Sequence, residues 1–228
     1  MKVDKFRTVI IYIIIILLGL VCLLPLLNIV AISFSSSAAV EGNMVGLIPV
    51  GFSTAAYKKI LEDSQFWHSF LISVERVVLT LIINFVLIVL MAYPLSKTNA
   101  QFRGRNIYAN LMIFAMLFNG GMIPTFLLVK SYGLLNTVWA LVLPGAVPIF
   151  NVILVMNFFA AVPKELEEAA FIDGANPLQV LTKIFIPISK PVLATVSLFS
   201  IVGSWNDFYS GLIYMSKAAY YPLMTYIQ

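Results

Sequence analysis

The sequence predicts an all-α membrane protein, a polytopic helical bundle, and three observations predict it. Of 228 residues, 61% are hydrophobic and only 11% are charged, whereas charged residues make up roughly a quarter of soluble domains. The mean hydropathy is +0.98. Apolar runs of about 20 residues or more recur along the chain, the length a helix needs to cross a bilayer. Lipid must therefore serve as part of the solvent.

The elements follow in order. The first run, 9–32, comes after Lys2, Lys5 and Arg7. It is too long for the apolar core of a signal peptide and reads as a spanning helix with its N-terminus in the cytoplasm. Residues 33–68 are polar and mixed, with Gly42, Gly46, Pro49 and Gly51 as breakers. They read as an external loop with a short helix near 54–61. The second span covers 70–95, with Glu75 and Arg76 near its outer interface. Lys97, Arg103 and Arg105, with no acid among them, mark the next loop as cytoplasmic, because short inner loops carry the excess of Lys and Arg.

Spans at 107–129 and 137–159 follow, joined by a turn around 130–136. Residues 160–191 collect Lys164, Glu165, Glu167, Glu168, Asp173, Lys183 and Lys190 and read as a structured cytoplasmic loop. A fifth span covers 192–214 and leads to an external turn at 216–221. Residues 222–228 look like the opening of another element, so a sixth span is expected and the sequence reads as C-terminally incomplete. The whole of 1–228 is thus a single transmembrane domain.

The formal charge of +4 does not point to nucleic acid, because the basic residues sit at the ends of apolar runs and form no patch with interleaved aromatics. The single cysteine, Cys22, has no partner for a disulfide or metal site and reads as a small buried hydrophobe.

The informative stretch is Pro163-Lys-Glu-Leu-Glu-Glu-Ala-Ala-Phe-Ile-Asp-Gly-Ala-Asn-Pro177, followed by Phe185-Ile-Pro-Ile-Ser-Lys-Pro191. Pro163 suits a first helical turn, the glutamates suit the positive end of the helix dipole, and Gly174 suits the stop. A short helix is predicted over 163–173. A second starts at Pro177 and is broken by Pro187 and Pro191. Ala169, Ala170 and Gly174 leave this helix-turn-helix knob with little bulk, so that another protein can approach its backbone. Leu166, Ala169 and Ala170 share one face by i, i+3, i+4 spacing, with Glu165, Glu168 and Ile172 on an adjacent one. The competing reading is an amphipathic connector lying on headgroups, against which an acid-rich first turn on an anionic leaflet argues.

Glu168-Ala-Ala-Phe-Ile-Asp-Gly-Ala175 and the later Ile186-Pro187 resemble the EAA loop of permease subunits in binding-protein-dependent ABC importers. Asn119-Gly-Gly-Met-Ile-Pro124, Leu143-Pro-Gly145 and Gly203-Ser-Trp-Asn-Asp-Phe208 resemble the carbohydrate-uptake branch, and the chain is similar to its maltose-type second permease. The resemblance implies the type I ABC importer permease fold, with six spans usual. It also implies ATPase-coupling positions on the loop, with Glu168 and Gly174 as the docking pair and Glu167, Ala169, Ala170, Asp173 and Ala175 around them. The implied partners are a second, homologous permease, two ATPase subunits carrying ATP and Mg, an extracytoplasmic solute-binding protein and a sugar. The implied location is the bacterial inner membrane.

Trp205, Asn206, Asp207 and Tyr209 fall in the fifth span, where polar groups face a bundle interior or a water-filled path. They are candidates for a sugar path, with interhelical hydrogen bonding by Asn206 and Asp207 as the competing reading. Asn119, Gly120 and Gly121, followed by Pro124, predict a broken or kinked third span of the kind that lines pathways. Close helix packing through the glycines is the alternative. Pro144, Gly145 and Pro148 suggest the same for the fourth span. His68 reads as interfacial.

The sequence holds no G-x-x-x-x-G-K phosphate loop, H-E-x-x-H helix or G-x-S-x-G elbow, so no catalytic residue, metal ligand or cofactor is assigned to this chain. An ion-coupled secondary transporter is the alternative class. It would need an intramembrane relay, for which Asp207 and Glu75 are the candidates. An intramembrane enzyme lacks catalytic groups altogether.

Overall fold

The structure, a computed structural model, describes residues 5–228, with side chains from Thr8 onward. Lys2 and the side chains of Lys5 and Arg7, on which the cytoplasmic reading of the N-terminus rests, lie outside the described residues. The described residues form helices and turns, with no strand among them. They divide into an N-terminal unit up to Trp67 and a second unit, His68–Gln228.

In the first unit, α1 (Lys5–Ser33) exposes apolar side chains around its circumference. This is the pattern of a helix whose neighbours are lipid or other chains. Cys22, read from sequence as buried, is exposed on it, because no packing within the unit reaches that turn. The segment after α1 carries α2 (Ser37–Glu41) and α3 (Ala55–Glu62) and is tied down by its own polar groups. Asn28 Nδ2 donates to the Gly46 carbonyl at 2.7 Å, and Ser35 Oγ accepts from Val50 N at 3.0 Å. Phe34 stacks between Phe52 and Tyr57.

α4 (Ser64–Leu95), most of which belongs to the second unit, is the longest helix among the described residues. Its buried side chains recur at helical spacing, and the stripe changes character along its length. Ser69, Ser73, Arg76, Thr80 and Asn84 are buried on one half, and Ile88, Val89, Ala92 and Leu95 on the other. The exposed face, Leu71, Val74, Val78, Ile82, Val86 and Leu90, is apolar apart from Glu75. A helix in water would put those residues inside, whereas in lipid the polar groups must go in.

The remaining long apolar stretches are broken. Two helices, Thr8–Ser33 and Ser64–Leu95, are long and apolar enough to cross a membrane unbroken, and up to five crossings result if each of three bent pairs counts as one. The first pair is α5 (Arg105–Leu117) with α6 (Met122–Ser131), bent by 110° at the predicted Asn119-Gly120-Gly121 break. The second is α7 (Val138–Val142), extended by a 3₁₀ turn to Gly145, with α8 (Ile149–Ala160), bent by 48°. Pro144 and Pro148, lacking N–H donors, account for that break.

After the short α9 (Lys164–Ile172) comes the third pair. Pro177–Ile188, comprising α10 (Pro177–Val180), a π-helical turn at Leu181–Phe185 and α11 (Ile186–Ile188), meets α12 (Lys190–Asn206) at 84°. Pro187 was expected to stop this helix and does not. Its missing donor and its ring's clash with the carbonyl four residues back are absorbed by the wider π turn, and the chain bends two residues later at Ser189. The expected single helix over 192–214 is also corrected, since α12 ends at Asn206 and α13 (Tyr209–Tyr214) starts anew. α14 (Leu223–Tyr226) closes the described chain. It approaches α13 so closely that a Cβ at Gly211 would collide with the Thr225 side chain.

The main core joins the apolar half of α4 to Val152, Val155 and Phe159 of α8, Phe185 of the π turn, and Leu193 and Val196 of α12. Phe185 stands edge-on to both Tyr93 (5.1 Å) and Phe159 (5.4 Å), a preferred aromatic geometry. Phe159→Ala is expected to lower stability by about 3 kcal/mol through the cavity it leaves, measured by thermal unfolding in detergent. Leu90→Ala, on the exposed face of α4, should stay within about 0.5 kcal/mol of the parent.

Candidate functional site

The knob is built by local chemistry. α9 ends in paired bonds in which Ala175 N donates to Ala170 O at 2.9 Å and Gly174 N to Phe171 O at 3.1 Å. This closure requires a left-handed residue after the helix, and Gly174 supplies it at φ +82°. Asn176 then caps α10 through a reciprocal pair with Gln179, both bonds 2.9 Å. The predicted 163–173 helix and its Pro177 successor are thus both present. Glu168, Ala169, Phe171, Ile172, Asp173 and Gly174 are exposed, Ile172 at 86%. Ala170 and Ala175 turn toward the core.

Glu167 does not share the exposed face. It is 8% exposed and lies 2.7 Å from the Lys97 ammonium, which itself sits over the rings of Tyr93 and Phe185 at 4.1 and 4.2 Å. Burial pulls the Lys97 pKa below the usual lysine range, and Glu167 opposes that shift by hydrogen bond and charge. In the same loop, Arg105 Nε donates to the Leu95 carbonyl at 2.7 Å, satisfying the C-terminal end of α4. Two of the three cations read from sequence as orientation signals therefore also hold the loop together.

At the other half of α4, Arg76 is 4% exposed, buried among helices of the chain. It pairs with the Asp207 carboxylate and donates to the Asp207 carbonyl at 2.9 Å. A longer bond of 3.5 Å reaches the Leu141 carbonyl in α7. One guanidinium thus serves backbone groups at two helix breaks, a task suited to its fixed fork of donors. Asp207 also accepts from Ser210 N at 3.1 Å, starting α13. Being committed to Arg76, it is a poor relay for the ion-coupled alternative, and Glu75 points to the exposed side of α4.

Beside this pair lies a polar cavity of about 250 Å³ between α4, α8 and α12. Thr80 Oγ1, Asn84 Oδ1 and Arg76 Nε are buried there without a protein partner, and Asn84 Nδ2 donates to Ser200 Oγ at 3.2 Å. Asn151 and Ser204 complete its polar wall. Sequence reading missed Thr80, Asn84, Asn151 and Ser200. The available signal was their spacing within apolar runs, 76, 80 and 84 falling on one stripe of α4.

Of the residues predicted to line a path, Trp205 stands edge-on to Phe70 at 6.0 Å, and Asn206 is exposed at the end of α12. The Tyr209 hydroxyl donates to Met122 Sδ at 3.1 Å. Met122 follows Gly121, whose N–H is held by Asn119 Oδ1 at 2.9 Å, so the fold brings the Asn119–Gly121 break and the Asp207–Tyr209 break together. Gly120 is exposed in that break. Among the described residues no cluster of His, Cys, Asp and Glu could hold a metal.

Arg76→Leu is expected to cost about 3 kcal/mol by leaving Asp207 unpaired. The Arg76→Leu/Asp207→Leu double variant should be more stable than either single one, as measured by thermal unfolding of the detergent-purified protein.

Comparison with known proteins is consistent with this architecture. Residues 78–227 match the family model of the binding-protein-dependent transport system inner membrane component. Protein LplC of Bacillus subtilis (strain 168) is 44% identical over 205 residues, covering 90% of this chain and 69% of LplC. The polygalacturonan/rhamnogalacturonan transport system permease protein YtcP of the same organism is 40% identical over 225 residues, covering 99% of this chain and 78% of YtcP. A crystal structure of a bacterial ABC transporter involved in the import of the acidic polysaccharide alginate superposes with a TM-score of 0.91 at 34% identity, over 100% of this chain and 80% of that one. The fold is that of a type I ABC importer permease, and the chain belongs to the family of binding-protein-dependent transport system inner membrane components, the non-catalytic multi-pass membrane subunits of ABC importers, in their sugar-permease branch.

Proposed function

We propose that this chain forms half of the translocation pore of an ATP-driven importer of sugars or oligosaccharides, and that the α9–α10 knob couples it to a separate ATPase. The observation that carries the coupling is the knob's surface. Ile172 and Leu178 are largely exposed, and Phe171 partly so, beside Glu168 and a left-handed Gly174. Apolar side chains presented with little bulk around them suit insertion into a protein groove. The knob then lies in the cytoplasm, as do the loop at 96–104 and the N-terminus.

The docking surface comprises Glu168, Ala169, Asp173 and Gly174, while Glu167, Ala170 and Ala175 face inward and hold its shape. Two such permeases, this chain and a homologue, would enclose the pore above two ATPases that bind ATP and Mg, with a solute-binding protein delivering sugar from outside. The polar cavity beside Arg76, together with Trp205, Asn206, Asp207 and Tyr209, offers hydroxyl and amide partners and an aromatic face along the path. Asn119, Gly120 and Gly121 form the break opposite. YtcP is named for polygalacturonan and rhamnogalacturonan, and the superposing transporter for alginate. Oligosaccharides that carry uronate residues are therefore the first class to screen as substrates.

Ala169→Trp and Gly174→Trp are expected to reduce uptake at least about 100-fold while leaving membrane insertion intact. A Cβ at 174 meets nothing within 4 Å inside the chain, so its internal cost is limited to about 1–2 kcal/mol of left-handed strain; Ala169 lies in a regular helix and carries no such strain. Retention of parental uptake by both variants in whole cells would remove the docking surface. Substrate class is read from ATP hydrolysis by the co-purified complex with oligogalacturonate, alginate oligosaccharides and neutral oligosaccharides. Stimulation by neutral oligosaccharides alone would overturn the uronate assignment.

A further inference from the structure

Lys97 was read from sequence as one charge of an orientation signal, and nothing in that role requires a particular neighbour. Its surroundings are nevertheless highly specific. The side chain is 12% exposed, its ammonium is 2.7 Å from the Glu167 carboxylate, and it stands over Tyr93 of α4 and Phe185 of the π turn. The Tyr93 hydroxyl reaches the same carboxylate at 3.5 Å. Phe185 in turn packs on Phe159 of α8. One ammonium therefore contacts groups from the end of α4, from the knob helix α9 and from the segment leading into α12.

We propose that Lys97 is a positioning residue that latches the coupling knob to α4 and to the base of α12, so that motion imposed on the knob reaches both helices as one body. The inference rests on the reading of α9 as the docking element and adds the route by which docking is transmitted. Three features favour a latch over ordinary packing. Apart from the long 3.5 Å Tyr93–Glu167 contact, the other links across this junction are apolar and non-directional, and such contacts let elements slide. Lys97–Glu167 is the one ion pair found between α9 and another element among the described residues. A lysine held over two rings and against one carboxylate has its head fixed from two directions, which a surface pair lacks.

The test uses the assembled transporter in nanodiscs and needs no knowledge of the sugar. Nitroxides at Glu165→Cys and Asn206→Cys, in a Cys22→Ser background, report the distance between the knob and the far end of α12 by pulsed electron paramagnetic resonance. Measurements are made without nucleotide and after ATP–vanadate trapping. In the Lys97 parent, one narrow distribution should shift on trapping. Lys97→Met should broaden the nucleotide-free distribution and lose most of the shift, because the latched population falls by about tenfold. Lys97→Arg should recover part of the shift, and the charge-exchanged Lys97→Glu/Glu167→Lys should recover more of it than either of its single variants.

Parental width and shift in Lys97→Met would overturn the latch. If Lys97→Met prevents assembly, the exchanged pair decides: assembly with a restored shift supports the latch, and failure to restore it overturns the latch. Gly174→Trp, measured in parallel, separates the two ideas. A lost shift there with a silent Lys97→Met sinks the latch alone, whereas a full shift in Gly174→Trp sinks the docking reading and the latch with it.

Discussion

The structure depends on one constraint, that polar groups surrounded by lipid must find partners inside the protein. α4 shows how the chain meets it. Along one stripe of that helix stand two serines, an arginine, a threonine and an asparagine, and opposite them an apolar face interrupted by Glu75. Arg76 is the most demanding member, since an uncompensated guanidinium among apolar helices is strongly unfavourable. Its partners are the carboxylate and carbonyl of Asp207 and a carbonyl of α7. The two carbonyls stand at helix ends beside breaks. The cost of burying the cation and the cost of interrupting the helices thus offset one another.

The second ion pair repeats the arrangement at the other end of the same helix. Arg76 and Lys97 are 21 positions apart, about 30 Å along a helix axis, close to the thickness of a hydrocarbon core. Near one end α4 holds the break between α12 and α13, and past the other it holds α9. The apolar core joining α4, α8 and α12 lies between them. α4 therefore runs unbroken beside members of the bent pairs, with α5, α8 and α12 sharing its apolar core. Its one proline, Pro94, is confined to its last turn.

Breaks elsewhere follow from backbone chemistry. Glycines and prolines interrupt the hydrogen-bond ladder, and side chains or wide turns repair it, as Asn119 does for Gly121 and the π turn does for Pro187. Three unpartnered polar atoms, on Arg76, Thr80 and Asn84 of the unbroken α4, lie beside the 250 Å³ cavity.

What the sequence determined by itself is local. The apolar runs, the breaks at Asn119–Gly121 and Pro144–Pro148, and the knob with its Gly174 stop and Asn176 cap were all legible, because propensity, capping and proline chemistry act within a few residues. Even there, the end of α12 at Asn206 was missed, since an aspartate in an apolar run carries no mark of the arginine that will cap the break. The tertiary structure alone decided which way side chains face. Glu167 and Glu168 are neighbours in an acidic run, yet one turns in to Lys97 and the other faces out. Nothing near Arg76 in sequence marks its partner, Asp207, 131 positions away. Pairings at that separation depend on how the helices pack, which short-range sequence pattern does not encode.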